Sequence, residues 1–258
     1  MRYLFCPLAS HGFVYPLIGI AERLRRRGHD VAFVTGRDFS ETLGHLGIER
    51  IPCGPSDSHS FQVEHWFHAL AIAIQVKHIE YAIDRFTPDV LVGNQLTFGP
   101  LIAGERQALP VAILGFASYL WPAWQPDRAP QSEREQRLLW RYSEMMEWYN
   151  QARQLFSLSP SQAHYMRTPL LGDLFLLQSV PELAGDIHAL PEQVHAVGSC
   201  LWDVPQPDPE LIDWLREAGT ARDPIIYVQP GRHFLSPQFW SHLVAAFADR
   251  PVRVAAAV

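Results

Sequence analysis

Cysteine is scarce. Cys6, Cys53 and Cys200 are the only three in 258 residues, too few, too scattered and odd in number for a disulfide framework or a zinc site. A reducing cytoplasm is the compartment this implies. An excess of positive charge is also missing: Lys and Arg total 21 against 27 Asp and Glu, a net charge of -6. That balance excludes a dedicated nucleic-acid binder, because phosphate contacts need a cationic surface. No stretch reaches the ~18 uncharged apolar residues that would span a bilayer, and the longest mostly uncharged window, 89–104, is broken by Gly and Pro. The opening Met1-Arg2-Tyr3-Leu4-Phe5 meets Ser10-His11-Gly12 without a small-residue cleavage site, so it reads as a buried strand and not a leader. Low-complexity runs are lacking, and 48% hydrophobic, 19% charged and 12% aromatic residues describe an ordinary globular chain. The expected partner is a small molecule or a protein.

What is present is an alternation of strand and helix patterns. Residues 2–8 form an apolar run, 16–27 carry Leu17, Ile18, Ile20, Ala21 and Leu24 at helical spacing, and 30–35 return as an apolar run. Pro16 suits a first helical turn, Gly28 the position past the last, and Arg25, Arg26 and Arg27 the end that the helix dipole makes negative. The pattern continues with helices near 39–46, within 60–85, near 98–107 and at 132–156, and strands near 48–53, 90–93, 111–115, 174–180 and 194–199. Strands without polar alternation, separated by helices, predict an α/β fold: a Rossmann-like, doubly wound parallel sheet covered on both faces. This domain is expected over residues 1–200. Prolines 205, 207 and 209 then mark a linker at 201–222 with a short helical segment near 210–217. Residues 223–258 read as strand, turn, helix and strand, the incomplete start of a second Rossmann-like domain.

Ligands of open α/β sheets bind beyond the carboxyl ends of the strands. The first such loop, residues 9–16, holds one glycine and no Gly-x-Gly-x-x-Gly, so a nicotinamide enzyme and a nucleotide-dependent epimerase are disfavoured. It does hold His11, just ahead of a helix, a place for a general base or for an ordinary loop residue. His59, His65 and His68 lack Cys or Asp partners at ligand spacing, and no metal site is expected. Trp121, Trp124, Trp140, Trp148, Met145 and Met146 read as core, although Pro122, Trp124 and Pro126 sit in a loop able to roof an apolar ligand.

The run Ser10-His11-Gly12-Phe13-Val14-Tyr15-Pro16-Leu17, followed by 21–35 with its Arg-Arg-Gly-His helix end, resembles the N-terminus of the family 1 glycosyltransferases of GT-B fold. Pro88-Asp89-Val90-Leu91-Val92, Val197-Gly198 and Ile226-Tyr227-Val228 extend the resemblance across the chain. It implies an inverting transfer from a nucleoside diphosphate sugar, a co-substrate and not a bound cofactor, to a hydroxyl of a lipophilic small-molecule acceptor, with no metal. It implies His11 as catalytic base, with Asn94 where the family usually has the carboxylate that orients it. Phe13, Phe116, Trp121 and Trp124 fall on the acceptor side and Gly231 on the donor side. The nucleotide sugar is expected to bind only where a complete C-terminal domain is supplied. The rival expectation is a non-catalytic acceptor-binding or helper protein lacking that domain.

Overall fold

The computed structural model describes residues 1–65, 67–116, 132–161, 168–179, 190–203, 208–229 and 237–256. Two compact units divide the chain, Met1–Asp203 and Val204–Val258. In the first, strands β1 (Arg2–Phe5), β2 (Asp30–Val34), β3 (Glu49–Ile51), β4 (Val90–Asn94), β5 (Val111–Gly115), β6 (Leu174–Leu177) and β7 (Val194–Ala196) form one sheet in the order β3-β2-β1-β4-β5-β6-β7. Every pairing is parallel. The α/β reading is borne out.

Successive residues of a strand point to opposite faces, and the two faces are covered by different helices. Phe5, Phe33 and Val92 pack with Val14, Leu17, Ile18 and Ala21 of α1 (His11–Arg26) and Leu43 of α2 (Ser40–His45). Leu4, Ala32, Leu91 and Ile113 pack on the other side with α3 (Ala69–Phe86), α4 (Gly99–Gln107) and α5 (Glu133–Gln154) through Ile72, Val76, Ile79, Ile102, Met145 and Tyr149. Met145 and Met146 are core as expected, whereas Trp140 on the same helix is 62% exposed. The hydroxyl of Ser132 accepts from Glu135 N at 3.2 Å and so caps the start of α5.

Two boundaries differ from the sequence reading. Helix α1 begins at His11, five residues before Pro16, which therefore lies inside it. Val14, wholly buried, extends the apolar stripe of Leu17, Ile18 and Ala21 by one turn, and that burial outweighs the missing proline N–H. Pro16 leaves the carbonyl of Gly12 without its intrahelical donor, at a position that is exposed. Helix α3 begins only at Ala69. The residues before it are held as turns: Asp57 accepts from Cys53 N at 2.9 Å and from Arg50 Nη2 at 2.6 Å, and Gly54 takes a φ of 75°.

The second unit contains α6 (Pro209–Ala221), β8 (Ile225–Val228), α7 (Pro237–Phe247) and β9 (Arg253–Ala256). Strands β8 and β9 pair in parallel. Asp208 caps α6 by accepting from Leu211 N at 3.1 Å. With Pro209 as its first residue this helix runs well beyond the short segment expected within the linker. Among the described residues, no helix is long and apolar enough to cross a membrane.

Candidate functional site

The chain leaves β1 for β2 on one side and later returns to β4 on the other. The carboxyl ends of β1 and β4 therefore flank the topological switch point, the crevice where open α/β sheets bind ligands. His11 follows β1 and Asn94 ends β4.

Several bonds fix the loop that carries His11. Cys6 N donates to Val92 O at 2.7 Å and Ala9 N to Phe61 O at 2.7 Å, while the hydroxyl of Thr35 donates to Pro7 O at 3.0 Å. Ser10 precedes the helix in extended conformation, and His11 is its first residue, with an exposed side chain. Its ring meets Tyr15 at 4.9 Å and Phe39 at 5.4 Å between centroids, edge to face in both cases. Burial pushes the Tyr15 phenol above its ordinary pKa, and the charge of Asp203 adds to the rise.

Asn94 is 2% exposed. Its Oδ1 accepts from Leu8 N at 3.3 Å and from the Thr97 hydroxyl, which uses both lone pairs of a carbonyl oxygen. Backbone N–H can only donate, so the orientation of the amide is settled, and Nδ2 is left as a buried donor without a partner. Asn94 thus has a donor to offer and no acceptor to spare for an imidazole N–H.

Phe13 is half-buried against the core beneath α3. Phe116, 44% exposed, directly follows β5, its N–H bonded to Gln95 Oε1. Trp121, Trp124 and Gly231 lie outside the described residues. The sequence reading missed Leu70 and Ile74, which are 57% and 40% exposed in the first turns of α3, at the carboxyl edge because α3 leads from β3 back to β4. The available signal was helical spacing, which puts Leu70 and Ile74 on the same face as Lys77.

Cys6 and Cys53 are no alternative nucleophiles. Burial, reinforced by their proximity to each other, raises the Cys6 thiol well above its ordinary value, and burial pushes Cys53 up to about 12 against the opposing charge of Arg50. A cavity of about 540 Å³ lined by Ala108, Val111, Tyr149, Gly172 and Asp173 opens at the amino ends of β5 and β6, the edge opposite His11. Its carboxylates are already engaged, Glu105 by Arg153 and Asp173 by Val111 N.

Residues 10–113, the stretch from the His11 loop to β5, match the glycosyltransferase family 28 N-terminal domain. In sequence and in fold the chain is similar to glycosyltransferases of GT-B type. The matched family is numbered 28 where the His11 motif had resembled family 1. The chain is 26% identical over 279 aligned residues to the 4'-demethylrebeccamycin synthase of Lentzea aerocolonigenes, covering 89% of this chain and 63% of that protein. Its fold is similar to that of the glycosyltransferase SnogD from Streptomyces nogalater, with a TM-score of 0.63 at 18% identity, over 99% of this chain and 65% of that one. The glycotransferase of kitacinnamycin gives 0.67 at 14%, over 99% and 64%. The chain thus spans less than two thirds of the length of each.

Proposed function

We propose that this chain carries the acceptor side and the catalytic base of an inverting glycosyl transfer from a nucleoside diphosphate sugar to a hydroxyl of a lipophilic small molecule. The observation that carries the reading is an exposed imidazole, His11, at the switch point of the sheet. His11 takes the proton of the acceptor hydroxyl as its oxygen bonds to the anomeric carbon. The bond from that carbon to the diphosphate oxygen breaks on the opposite face, its electron pair leaving with the nucleoside diphosphate, so the configuration inverts. General-base assistance of this kind contributes about 10²–10⁴-fold to rate. The unpaired Nδ2 of Asn94 donates to an oxygen of the bound ligand, which removes the penalty of leaving a buried donor unmatched.

Phe13, Phe116, Leu70 and Ile74 supply an apolar acceptor surface. Relatives named for rebeccamycin and kitacinnamycin support an acceptor of natural-product type. The donor belongs to the C-terminal side and needs a complete domain there. The scheme uses no metal, and three free thiols fit a cytoplasmic protein. Asn94 in place of a carboxylate favours a second reading, a non-catalytic acceptor-binding or helper protein.

Calorimetric titration with alizarin, a hydroxyanthraquinone, and with UDP- and TDP-glucose tests the assignment. Micromolar alizarin binding that Leu70→Asp weakens at least about tenfold, a loss of ~1.4 kcal/mol, with nucleotide sugars bound only in the millimolar range, is the expected result. Micromolar nucleotide-sugar binding, or alizarin binding indifferent to Leu70→Asp, overturns it. Binding without transfer, even with a donor domain supplied, selects the helper.

A further inference from the structure

His11, Tyr15, Gly19 and Glu22 share one stripe of α1, at spacings of four, four and three residues. Trp202, in the irregular segment after β7, lies along that stripe. Gly19 lets it approach: a Cβ added there would stand 3.2 Å from Trp202 Cβ. The indole N–H donates to Glu22 Oε2 at 2.9 Å, and the indole ring meets Tyr15 edge to face, with centroids 4.9 Å apart at 75°. Tyr15 meets His11 at 4.9 Å and 70°, while Phe39 lies 5.4 Å from His11 and 6.4 Å from Tyr15. Because the His11 side chain is exposed, burial does not fix the direction of its ring. Tyr15 can fix it only while Tyr15 is itself held.

We infer that Trp202 is a positioning residue, acting through Tyr15 to set the direction in which His11 presents its ring nitrogen to the acceptor hydroxyl. The inference rests on the reading of His11 as the base. A misplacement of about 1 Å in a reacting group can cost on the order of 10²-fold in rate, so an exposed base needs such support. Glu22 anchors the far end of the indole, and Gly19 sets its distance from the helix.

The test compares Trp202→Ala, Trp202→Phe and Gly19→Leu, the last displacing an intact Trp202 by filling its approach. In a transfer assay with a complete donor domain supplied, Trp202→Ala and Gly19→Leu should lower kcat by roughly 10- to 100-fold with little change in the acceptor KM, and Trp202→Phe should recover most of the rate. In parallel, NMR reads the ring protons of His11, assigned by their disappearance in His11→Ala. In Trp202→Ala and Gly19→Leu these should lose the displacement imposed by the Tyr15 and Phe39 rings and their cross-peaks to Tyr15. His11 resonances that are unchanged in both variants overturn the inference, whatever happens to the rate. The NMR result stands without turnover, so a failure of the transfer reading, seen as no activity in the wild type with a complete donor domain supplied, is distinct from a failure of the positioning role.

Discussion

Asn94→Asp probes the site where its electrostatics are most exacting. The side chain is 2% exposed, its Oδ1 holds Leu8 N and the Thr97 hydroxyl, and its Nδ2 has no partner. The substitution preserves the first oxygen and replaces the unmatched donor with a second oxygen that, once ionised, finds no donor there. Desolvation should therefore raise the new carboxyl above its ordinary value of about 3.9. A rise of about two pKa units corresponds to ~3 kcal/mol. The unfolded chain ionises first, so the variant matches wild type below about pH 4 and loses stability as pH climbs to the folded value, then stays level. At roughly 2–4 °C per kcal/mol for a unit of this size, the Tm deficit should reach about 6–12 °C. Circular-dichroism melts of both proteins from pH 3.5 to pH 8 measure it. A deficit that does not grow with pH, or a variant more stable than wild type at pH 8, refutes the reasoning, because a cation or donor would then already face the position.

Thr97→Val removes one of the two donors that orient Asn94, so urea unfolding should show a loss of about 1 kcal/mol, accompanied by weaker alizarin binding. Gly36→Ala places a Cβ 2.7 Å from that of Ala9, at the base of the His11 loop; an overpacking loss of about 1–3 kcal/mol should appear as a lower urea midpoint with an unchanged slope. Burial lowers the pKa of His78 despite the opposing charge of Asp57. The unfolded chain therefore binds that proton first, stability falls as pH drops below about 6.5, and His78→Asn should flatten melting temperatures across that window. Burial raises Asp57, but bonds from Arg50 and Cys53 N and the charges of Arg50 and Arg37 outweigh it and hold its carboxyl low. Its contribution is present above about pH 4 and lost below, so Arg50→Met should remove that acid-side slope in the same melts.

The sheet was legible because a strand buried on both faces has no polar alternation: 2–8, 30–35, 90–93 and 111–115 could be little else. Helix ends were legible where end chemistry is local, as at Arg25, Arg26 and Gly28, whose φ of 81° closes α1. The start of α1 was not, because Pro16 reads as a first-turn residue until the burial of Val14 is seen to prevail. His11 could be placed from sequence because it sits between a strand and a helix. The state of Asn94 could not, since its partners Leu8 and Thr97 converge on it from two strands' ends. Trp202 was equally hidden, 180 residues from Glu22 in sequence and joined to it only by the fold.

The most direct test of the central claim is His11→Ala in a transfer assay with a complete donor domain supplied, a nucleoside diphosphate sugar and an apolar hydroxylated acceptor, read alongside acceptor binding. A proton taken in the transition state contributes to rate and little to ground-state affinity. The account predicts a kcat lower by about 10²–10⁴-fold with acceptor affinity nearly unchanged. Transfer at the wild-type rate in His11→Ala contradicts it.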